Sequence, residues 1–145
     1  MSRPAITDLV ARLEAECLSL LVLKAGEEVY SSYLGGVRPL LDLVDWFPGG
    51  LPGAVVVDRV VGGCAARVFA ALRVKKVLGL TGSISAEHIL YSAGVDYVFQ
   101  QVVTDIRNRD NSGICPFEQL SARYTRAEEL VPAMRQKLAE LRQPR

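Results

Sequence analysis

The sequence predicts a single α/β domain in which helices lie on both faces of a partly parallel sheet. Two strand-like segments come early in the chain, and beyond them helical and strand-like segments alternate. The connections are too short to form a second domain, and 145 residues, 50% of them hydrophobic, suffice for one core. We therefore expect one domain over residues 1–145, with an N-terminal helical segment at 1–17 and a C-terminal helix and tail at 126–145.

The first part of the chain is predicted to form an amphipathic helix followed by a hairpin. Between residues 6 and 16 the apolar residues recur at helical spacing, and Thr7 or Asp8 is available as an N-cap. The runs 18–24 and 29–34 are predicted to pair as strands, because glycine and charged residues interrupt the apolar pattern between them. The turn between these strands lacks the Asn-Gly or Asp-Gly pair that marks the strongest hairpins.

Helices and strands then alternate to the end of the chain. A helix over residues 37–46 tolerates Pro39 because this proline falls in the first turn, and the helix ends before Pro48. The remaining segments follow from apolar spacing and from glycine, proline or serine at their ends. They are a short strand at 54–57, a buried helix at 59–73, strands at 74–80 and 95–103, and helices at 86–93, 116–124 and 127–141.

Composition and charge exclude several classes of protein. Lys and Arg number 17 and Asp and Glu 16, so no overall field attracts nucleic acid or an anionic membrane. No apolar run reaches the ~18 to 20 residues that span a bilayer, and no signal-peptide pattern opens the chain. Three cysteines without close pairing fit free thiols in a reducing compartment. We expect a cytoplasmic protein that binds neither nucleic acid nor a membrane.

Three polar segments follow predicted strands and precede predicted helices. They are Val57-Asp58, Thr81 to Ser85, and Thr104 to Glu118. In open α/β sheets, ligands bind beyond the carboxyl ends of the strands, where backbone N–H groups of the following helices point outward. We therefore expect the three segments to converge on one pocket at this edge of the sheet.

Asp58 is the candidate binding residue of the first segment. As the residue before a predicted helix it could simply cap that helix, a role worth ~1 kcal/mol, or it could orient a ligand hydroxyl or amine. Gly62 and Gly63 lie inside the predicted helix, where each costs ~1 kcal/mol relative to alanine. Such a cost reflects the close approach of a ligand or of another backbone. Both interpretations stay open.

The second segment, "TGSIS" at residues 81–85, is predicted to form a glycine turn followed by two serines at the start of a helix. Ser83 and Ser85 could hold an anion through their hydroxyl and backbone N–H groups, with help from the helix dipole. A serine cap with no ligand explains the same pattern.

The third segment, "IRNRDNSGICPFE", is the most polar part of the chain. Arg107 and Arg109 could grip a phosphate or carboxylate, Asn108 could read an amide or a base edge, and Glu118 falls in the first turn after a proline. A solvated loop would also be rich in Asn, Asp, Ser and Gly. The return to apolar residues at "ICPFE" indicates that the loop is pinned to the body of the protein.

Cysteine and histidine chemistry is limited by the residues available. Cys115 would need a cationic neighbour or a helix N-terminus to act as a nucleophile, and a buried, unreactive thiol is the alternative. A zinc site built from Cys64, His88, Cys115 and Asp58 is disfavoured by spacing, since no C-x-x-C or H-x-x-x-H motif is present. We expect no metal and no cofactor.

Three stretches together resemble an uncharacterised prokaryotic family of unknown function whose members have a cytidine-deaminase-like fold. They are "LVLKAGEEVYSSYLGGVRPLLDLV", "VVDRVVGGCAARVFA" and "IRNRDNSGICPFEQL", and the resemblance covers roughly residues 18–122. It implies a three-layer α/β/α sandwich with a mixed sheet. In deaminases of this fold a His/Cys-x-Glu motif opens one helix and Pro-Cys-x-x-Cys opens the next. Here we compare these motifs with residues 58–60 and 82–85, which hold none of the required side chains.

The resemblance implies a pocket that has lost its metal ligands and holds a small polar ligand, anionic or nucleotide-like. The expected ligand-binding residues are Asp58, Gly62, Gly63, Ser83, Ser85, Asn108, Arg109, Cys115 and Glu118. One alternative is an enzyme without a metal that uses Cys115 or Asp58. Another is an interaction module or homodimer formed through the last helix, whose face carries Met134, Leu138 and Leu141.

Overall fold

A five-stranded mixed sheet organises the chain in the computed structural model, which describes residues 6–108 and 110–142. The strand order is β2-β1-β3-β4-β5; β1 runs antiparallel to both of its neighbours, and β3, β4 and β5 run parallel. The described elements are α1 (Ile6–Ala15), β1 (Leu20–Lys24), β2 (Glu27–Ser32), α2 (Arg38–Trp46), β3 (Val55–Val61), α3 (Gly63–Ala71), β4 (Lys76–Ser83), α4 (Ile84–Ser92), β5 (Asp96–Val103), α5 (Pro116–Arg123) and α6 (Ala127–Arg142). The expected α/β fold with a mixed sheet is confirmed.

Helices cover both faces of the sheet, as the sequence predicted. Alternate residues of β1 point to opposite faces: Leu21 packs with Leu9 and Leu13 of α1, whereas Leu20 packs in the larger core with residues of α2, α3, α4 and α6. Met134 of α6 is fully buried in that larger core. The face of the last helix therefore contributes to the core of its own chain. None of the helices in the described part of the chain is long and apolar enough to cross a membrane.

The hairpin between β1 and β2 is closed by a turn of two residues. Ala25 has φ +53° and Gly26 has φ +80°. Positive φ at both positions is what a type I′ turn requires, and this turn matches the twist of the paired strands. Gly26 meets the requirement without strain, but Ala25 carries a Cβ in the left-handed region. The weak turn signal in the sequence reflects this alanine.

The strand after the α2 loop is longer than predicted, so the predicted helix start at residue 59 and the cap at Asp58 are wrong, although a helix lies inside the predicted range of 59–73. Asp58 lies within β3, paired with Leu20 of β1 and Gly79 of β4, and α3 begins only at Gly63. The β-branched residues Val60 and Val61 suit a strand and explain its extension. The cap predicted at Thr7 or Asp8 is also wrong, because both residues lie inside α1.

The glycine turn predicted at residues 81–85 is wrong as well. Gly82 lies in β4, and a Cβ built on it would be 2.2 Å from the ring of Phe99. This glycine is required because the aromatic ring packs directly against the strand. The helix after it, predicted at 86–93, is confirmed, and its end at Gly94 has the positive φ of +74° typical of a helix stop.

Candidate functional site

One cavity opens at the rim of the sheet where β3 ends, and we call it the rim cavity. Its volume is about 360 Å³. Four parts of the chain meet there: the start of β1, the loop from β2 into α2, the end of β3 with the start of α3, and the segment that leads into α5. The lining residues are Ser19, Leu20, Gly35, Gly36, Val37, Pro39, Leu40, Asp58, Arg59, Val60, Gly62, Gly63, Cys64, Ala65, Ile106, Arg107, Cys115, Phe117 and Glu118.

The rim cavity contains five of the nine residues that the sequence suggested as binding residues. These five are Asp58, Gly62, Gly63, Cys115 and Glu118. Ser83, Ser85 and Asn108 do not line it, and Arg109 lies outside the described residues.

Asp58 is held in the rim of the sheet by its strand neighbours and not by a helix. Its side chain is half-buried, and the hydrogen bond that it accepts from the backbone N–H of Val60 is long, at 3.4 Å. Burial raises the pKa of Asp58 from 3.8 to about 7, against the smaller opposing effect of the backbone N–H groups of Val60 and Arg59. The carboxyl group is therefore near its midpoint at neutral pH and can act as an acceptor, a donor or an anion.

Glu118 joins the three strand-to-helix junctions that the sequence suggested would converge. Its carboxylate accepts hydrogen bonds from the backbone N–H of Gly63 (2.6 Å), from the backbone N–H of Ile106 (2.9 Å) and from the hydroxyl of Ser85 (3.3 Å). The side chain is buried, with 7% of its surface exposed. Because its oxygens are bonded to protein groups, Glu118 builds the wall of the cavity and does not offer a free binding group.

Gly62 and Gly63 are explained by the approach of α5. A Cβ on Gly63 would be 2.0 Å from the hydroxyl oxygen of Ser121, and one on Gly62 would be 3.3 Å from the Glu118 carboxylate. Of the two interpretations left open by the sequence, close packing of another segment therefore accounts for both glycines. The packing partner is a helix that lies more than fifty residues later in the chain.

The two serines have local roles. Ser83 is fully buried and is the N-cap of α4, accepting a hydrogen bond from the backbone N–H of Ala86 at 3.1 Å. Ser85 contacts both Ser83 and Glu118 at 3.3 Å. The cap interpretation is the one that the geometry supports.

The polar segment after β5 is organised by its own side chains. Asn108 accepts from the backbone N–H groups of Ser112 (3.0 Å) and Gly113 (3.2 Å), so its amide holds a turn. Arg107 donates to the side chain of Asn111 at 3.1 Å. The backbone N–H of Cys115 donates to the carbonyl of Ile106 at 2.8 Å, which closes the loop. The loop is thus pinned to the body, as "ICPFE" indicated.

Two cysteines line the rim cavity. The thiol of Cys64 donates to the carbonyl of Phe117 at 2.9 Å, and burial raises its pKa to about 12. Cys64 is therefore a protonated, structural thiol at neutral pH. Cys115 lies immediately before Pro116 at the start of α5 and is half-buried. Within residues 6–108 and 110–142, no three His, Cys, Asp or Glu side chains are grouped so as to hold a metal ion.

The loop from β2 into α2 was missed as part of the site. It contributes Gly35, Gly36 and Val37 to the cavity wall, followed by Pro39. Since β1 is antiparallel to both β2 and β3, the carboxyl ends of β2 and β3 lie at the same rim. The hairpin was predicted, but the pairing of β1 with β3 was not. Without that pairing, the Gly-Gly-Val stretch indicates only the end of a strand.

The sequence and the fold were compared with known proteins. A family model described as TM1506, a domain of unknown function (DUF1893), matches residues 8–138. Among solved structures, the chain is similar to the crystal structure of a DUF1893 family protein (TM1506) from Thermotoga maritima, with a TM-score of 0.83 over 94% of this chain and 92% of that chain. The two sequences are 23% identical, so this likeness concerns the fold alone. No curated protein matches the sequence.

Proposed function

This chain belongs to the DUF1893 family, and we propose that it binds a small polar ligand in the rim cavity, with Asp58 as the residue that holds the ligand. The observation that carries the proposal is a carboxyl group without a strong partner on the wall of a cavity that is otherwise mainly apolar. Ligand pockets combine an apolar lining with a few placed polar groups in this way.

The dimensions of the cavity support a small ligand. A volume of about 360 Å³ lies at the lower end of the range for small-molecule pockets, roughly 300 to 1,000 Å³. Its position beyond the carboxyl end of a strand and beside the starts of three helices is the usual place for ligands in open α/β sheets.

A cytidine-deaminase-like fold remains our proposal for the architecture, supported by the mixed sheet and by the cavity at the starts of α2 and α3. Residues 58–60, which we compared with the first deaminase motif, lie in a strand and not at a helix start. The helix starts at the cavity are Val37-Arg38, Gly62-Gly63-Cys64 and Cys115-Pro116-Phe117. These residues do not fit the His/Cys and glutamate set that would hold and use zinc, so no step through a metal is derived.

Ligand screening with a blocked cavity tests the proposal. Val60 lines the cavity, and its side chain is 48% exposed, so Val60→Trp should narrow the mouth without disturbing the core. Val98→Trp is the matched control, since Val98 is a strand valine with 45% exposure that does not line the cavity. We expect stabilising compounds to raise the Tm of the wild type and of Val98→Trp, but not of Val60→Trp. Saturation at a hundred times Kd would add ~2.7 kcal/mol.

Two results would overturn the proposal. One is a broad screen of anionic, neutral and cationic compounds in which none stabilises the wild type. The other is equal stabilisation of Val60→Trp and the wild type by every active compound.

Catalysis without a metal is a second candidate, because Asp58 and the Cys115 thiol line the same cavity. A carboxylate that assists the thiol would make Cys115 react faster with iodoacetamide in the wild type than in Asp58→Asn. The exposed Cys17 serves as the internal reference for the labelling rate. Equal rates for Cys115 in both proteins would remove this candidate.

A further inference from the structure

We propose that the ligand of the rim cavity carries a positively charged nitrogen group, for which the carboxylate of Asp58 is the counter-ion. This inference rests on the proposed function and names the chemical class of the ligand. It follows from the bonding of the charged groups at the cavity wall, among the residues that the structure describes.

The two described arginines of the wall are already bonded to the protein. Arg59 donates to the carbonyl oxygens of Leu18 (2.6 Å) and Leu13 (3.2 Å), and so it anchors the end of α1. Arg107 donates to the side chain and the carbonyl of Asn111. Neither guanidinium is paired with Asp58, and none of the ion pairs among the described residues includes Asp58.

The starts of α2, α3 and α5 lie at the cavity, and among the described residues none of them supplies a side-chain cation paired with Asp58. The first N–H of α3, that of Gly63, is bonded to the Glu118 carboxylate, so the positive end of this helix already has an anion from its own chain. In the first turns of α2 and α5, Pro39 and Pro116 have no N–H to donate. An anionic ligand, which the arginines of the polar segment suggested, would meet the Asp58 carboxyl group, which has no ion-pair partner among the described residues.

The remaining titratable groups of the wall do not supply a charge to Asp58. Cys64 stays protonated because burial raises its pKa to about 12, and its thiol is bonded to Phe117. Glu118 is an acid whose oxygens are bonded, and Cys115 is a thiol in the segment that leads into α5. For Asp58 itself, burial is the largest influence on the pKa, and no charged neighbour contributes. A ligand cation would supply the interaction that this carboxylate lacks.

Binding of a cation should be linked to loss of a proton. Because the pKa of Asp58 is about 7, the carboxyl group is mostly protonated near pH 6 and mostly ionised near pH 8. A cation that requires the carboxylate will therefore bind more tightly as the pH rises, by roughly tenfold between about pH 6 and pH 8.5. A neutral ligand that accepts a hydrogen bond from the protonated acid will show the opposite trend.

Three probes of nearly the same shape test the inference: benzamidine, benzamide and benzoate, which are a cation, a neutral amide and an anion. Titrations of the full chain, followed by NMR near pH 6 and near pH 8.5, should detect benzamidine as the strongest binder and the only one that tightens as the pH rises. In Asp58→Asn the affinity for benzamidine should fall at least roughly tenfold near pH 8.5 and lose its dependence on pH. Asp96→Asn, an exposed aspartate in β5 that does not line the cavity, is the control and should bind as the wild type does.

The outcomes separate this inference from the proposed function. If benzoate or benzamide binds better than benzamidine, and Val60→Trp abolishes that binding, the cavity binds ligands but the inference about charge is overturned. Equal affinity of benzamidine for Asp58→Asn and the wild type also overturns it. If none of the three probes binds, the inference is overturned, and the broad screen decides the proposed function.

Discussion

Asp58 is the residue on which the proposed function depends, and it occupies a position where a carboxylate is costly. A strand interior next to an apolar cavity desolvates the charged form, and the described residues offer no cation in return. Residues that lower stability in this way are common at binding sites, because function and stability select different side chains. Asparagine, which has nearly the same shape and no charge, would relieve the cost.

Stability should therefore depend on pH through Asp58. The folded-state pKa of about 7 is above the ordinary aspartate pKa of 3.8, so the folded protein binds the proton more tightly than the unfolded chain does. The free energy of unfolding then falls as the pH rises between these two values, and the loss is complete above about pH 7. We expect Asp58→Asn to raise the Tm near pH 8.5 and to change it little near pH 4.

Thermal unfolding of the wild type and the variant across this pH range checks the expectation. Asp96→Asn is the control, because that carboxylate is exposed. If the Tm changes with pH in the same way in the wild type and in Asp58→Asn, the Asp58 carboxyl group titrates alike in the folded and unfolded states. That result would contradict the expectation.

At the scale of elements, Glu118 fastens α5 to the rest of the rim. Its two oxygens accept from Gly63 of α3 and from Ile106 of the polar segment, groups that are far apart in sequence. Replacement by alanine would leave these backbone N–H groups without a partner in a largely buried site. Each hydrogen bond to a charged group is worth roughly 1.5 to 3 kcal/mol, and an unpaired buried donor adds a penalty.

We expect Glu118→Ala to lower the free energy of unfolding by roughly 3 kcal/mol, as measured by urea denaturation. Glu118→Gln keeps one acceptor oxygen and should lose less. Glu129→Ala, an exposed position in α6, is the control. A loss below about 1 kcal/mol in Glu118→Ala would show that the junctions are held by other contacts.

The hairpin turn offers a stabilising change that involves no contact with the cavity. Ala25 has φ +53°, a conformation that asparagine tolerates better than alanine does. We expect Ala25→Asn to raise the free energy of unfolding by roughly 0.5 to 1 kcal/mol. Gly26→Ala should lower it, since Gly26 has φ +80°. Urea denaturation of both variants measures the effects, and a neutral or destabilising Ala25→Asn would contradict the turn assignment.

The sequence predicted most elements, but it did not predict the boundary between β3 and α3, which determines the site. Helices α4, α5 and α6 were found from apolar spacing with glycine, serine and proline at their ends, because these residues act locally. The end of β3 was misjudged because Val60, Val61 and the alanines after them fit both a buried helix and a strand. Only the pairing of Asp58 with Leu20 and Gly79 decides between them, and pairing is not local.

The difference between local and long-range interactions also explains which site residues were predicted. Asp58, Cys115 and Glu118 follow from the rule that polar residues after strands gather at one rim. The structural role of Glu118 could not be predicted, since it depends on α5 lying over Gly63. Ser83 and Asn108 were grouped with the site because local caps and turns use the same side chains as binding sites do.

At the scale of the whole molecule, the fold brings the ends of β2 and β3 and the segment after β5 to one rim, and Glu118 ties three of the junctions together. The result is a cavity of about 360 Å³ with a single weakly bonded carboxyl group on its wall. We therefore expect the cavity to bind a ligand whose positive charge pairs with the carboxylate of Asp58.

The most direct test of that account is the NMR titration of the Asp58 side-chain carboxyl carbon, with and without benzamidine. Our account predicts a midpoint near pH 7 in the free protein and a midpoint at least about one unit lower at saturating benzamidine, because the cation favours the carboxylate. A midpoint near 4 that does not move when benzamidine is added would contradict it.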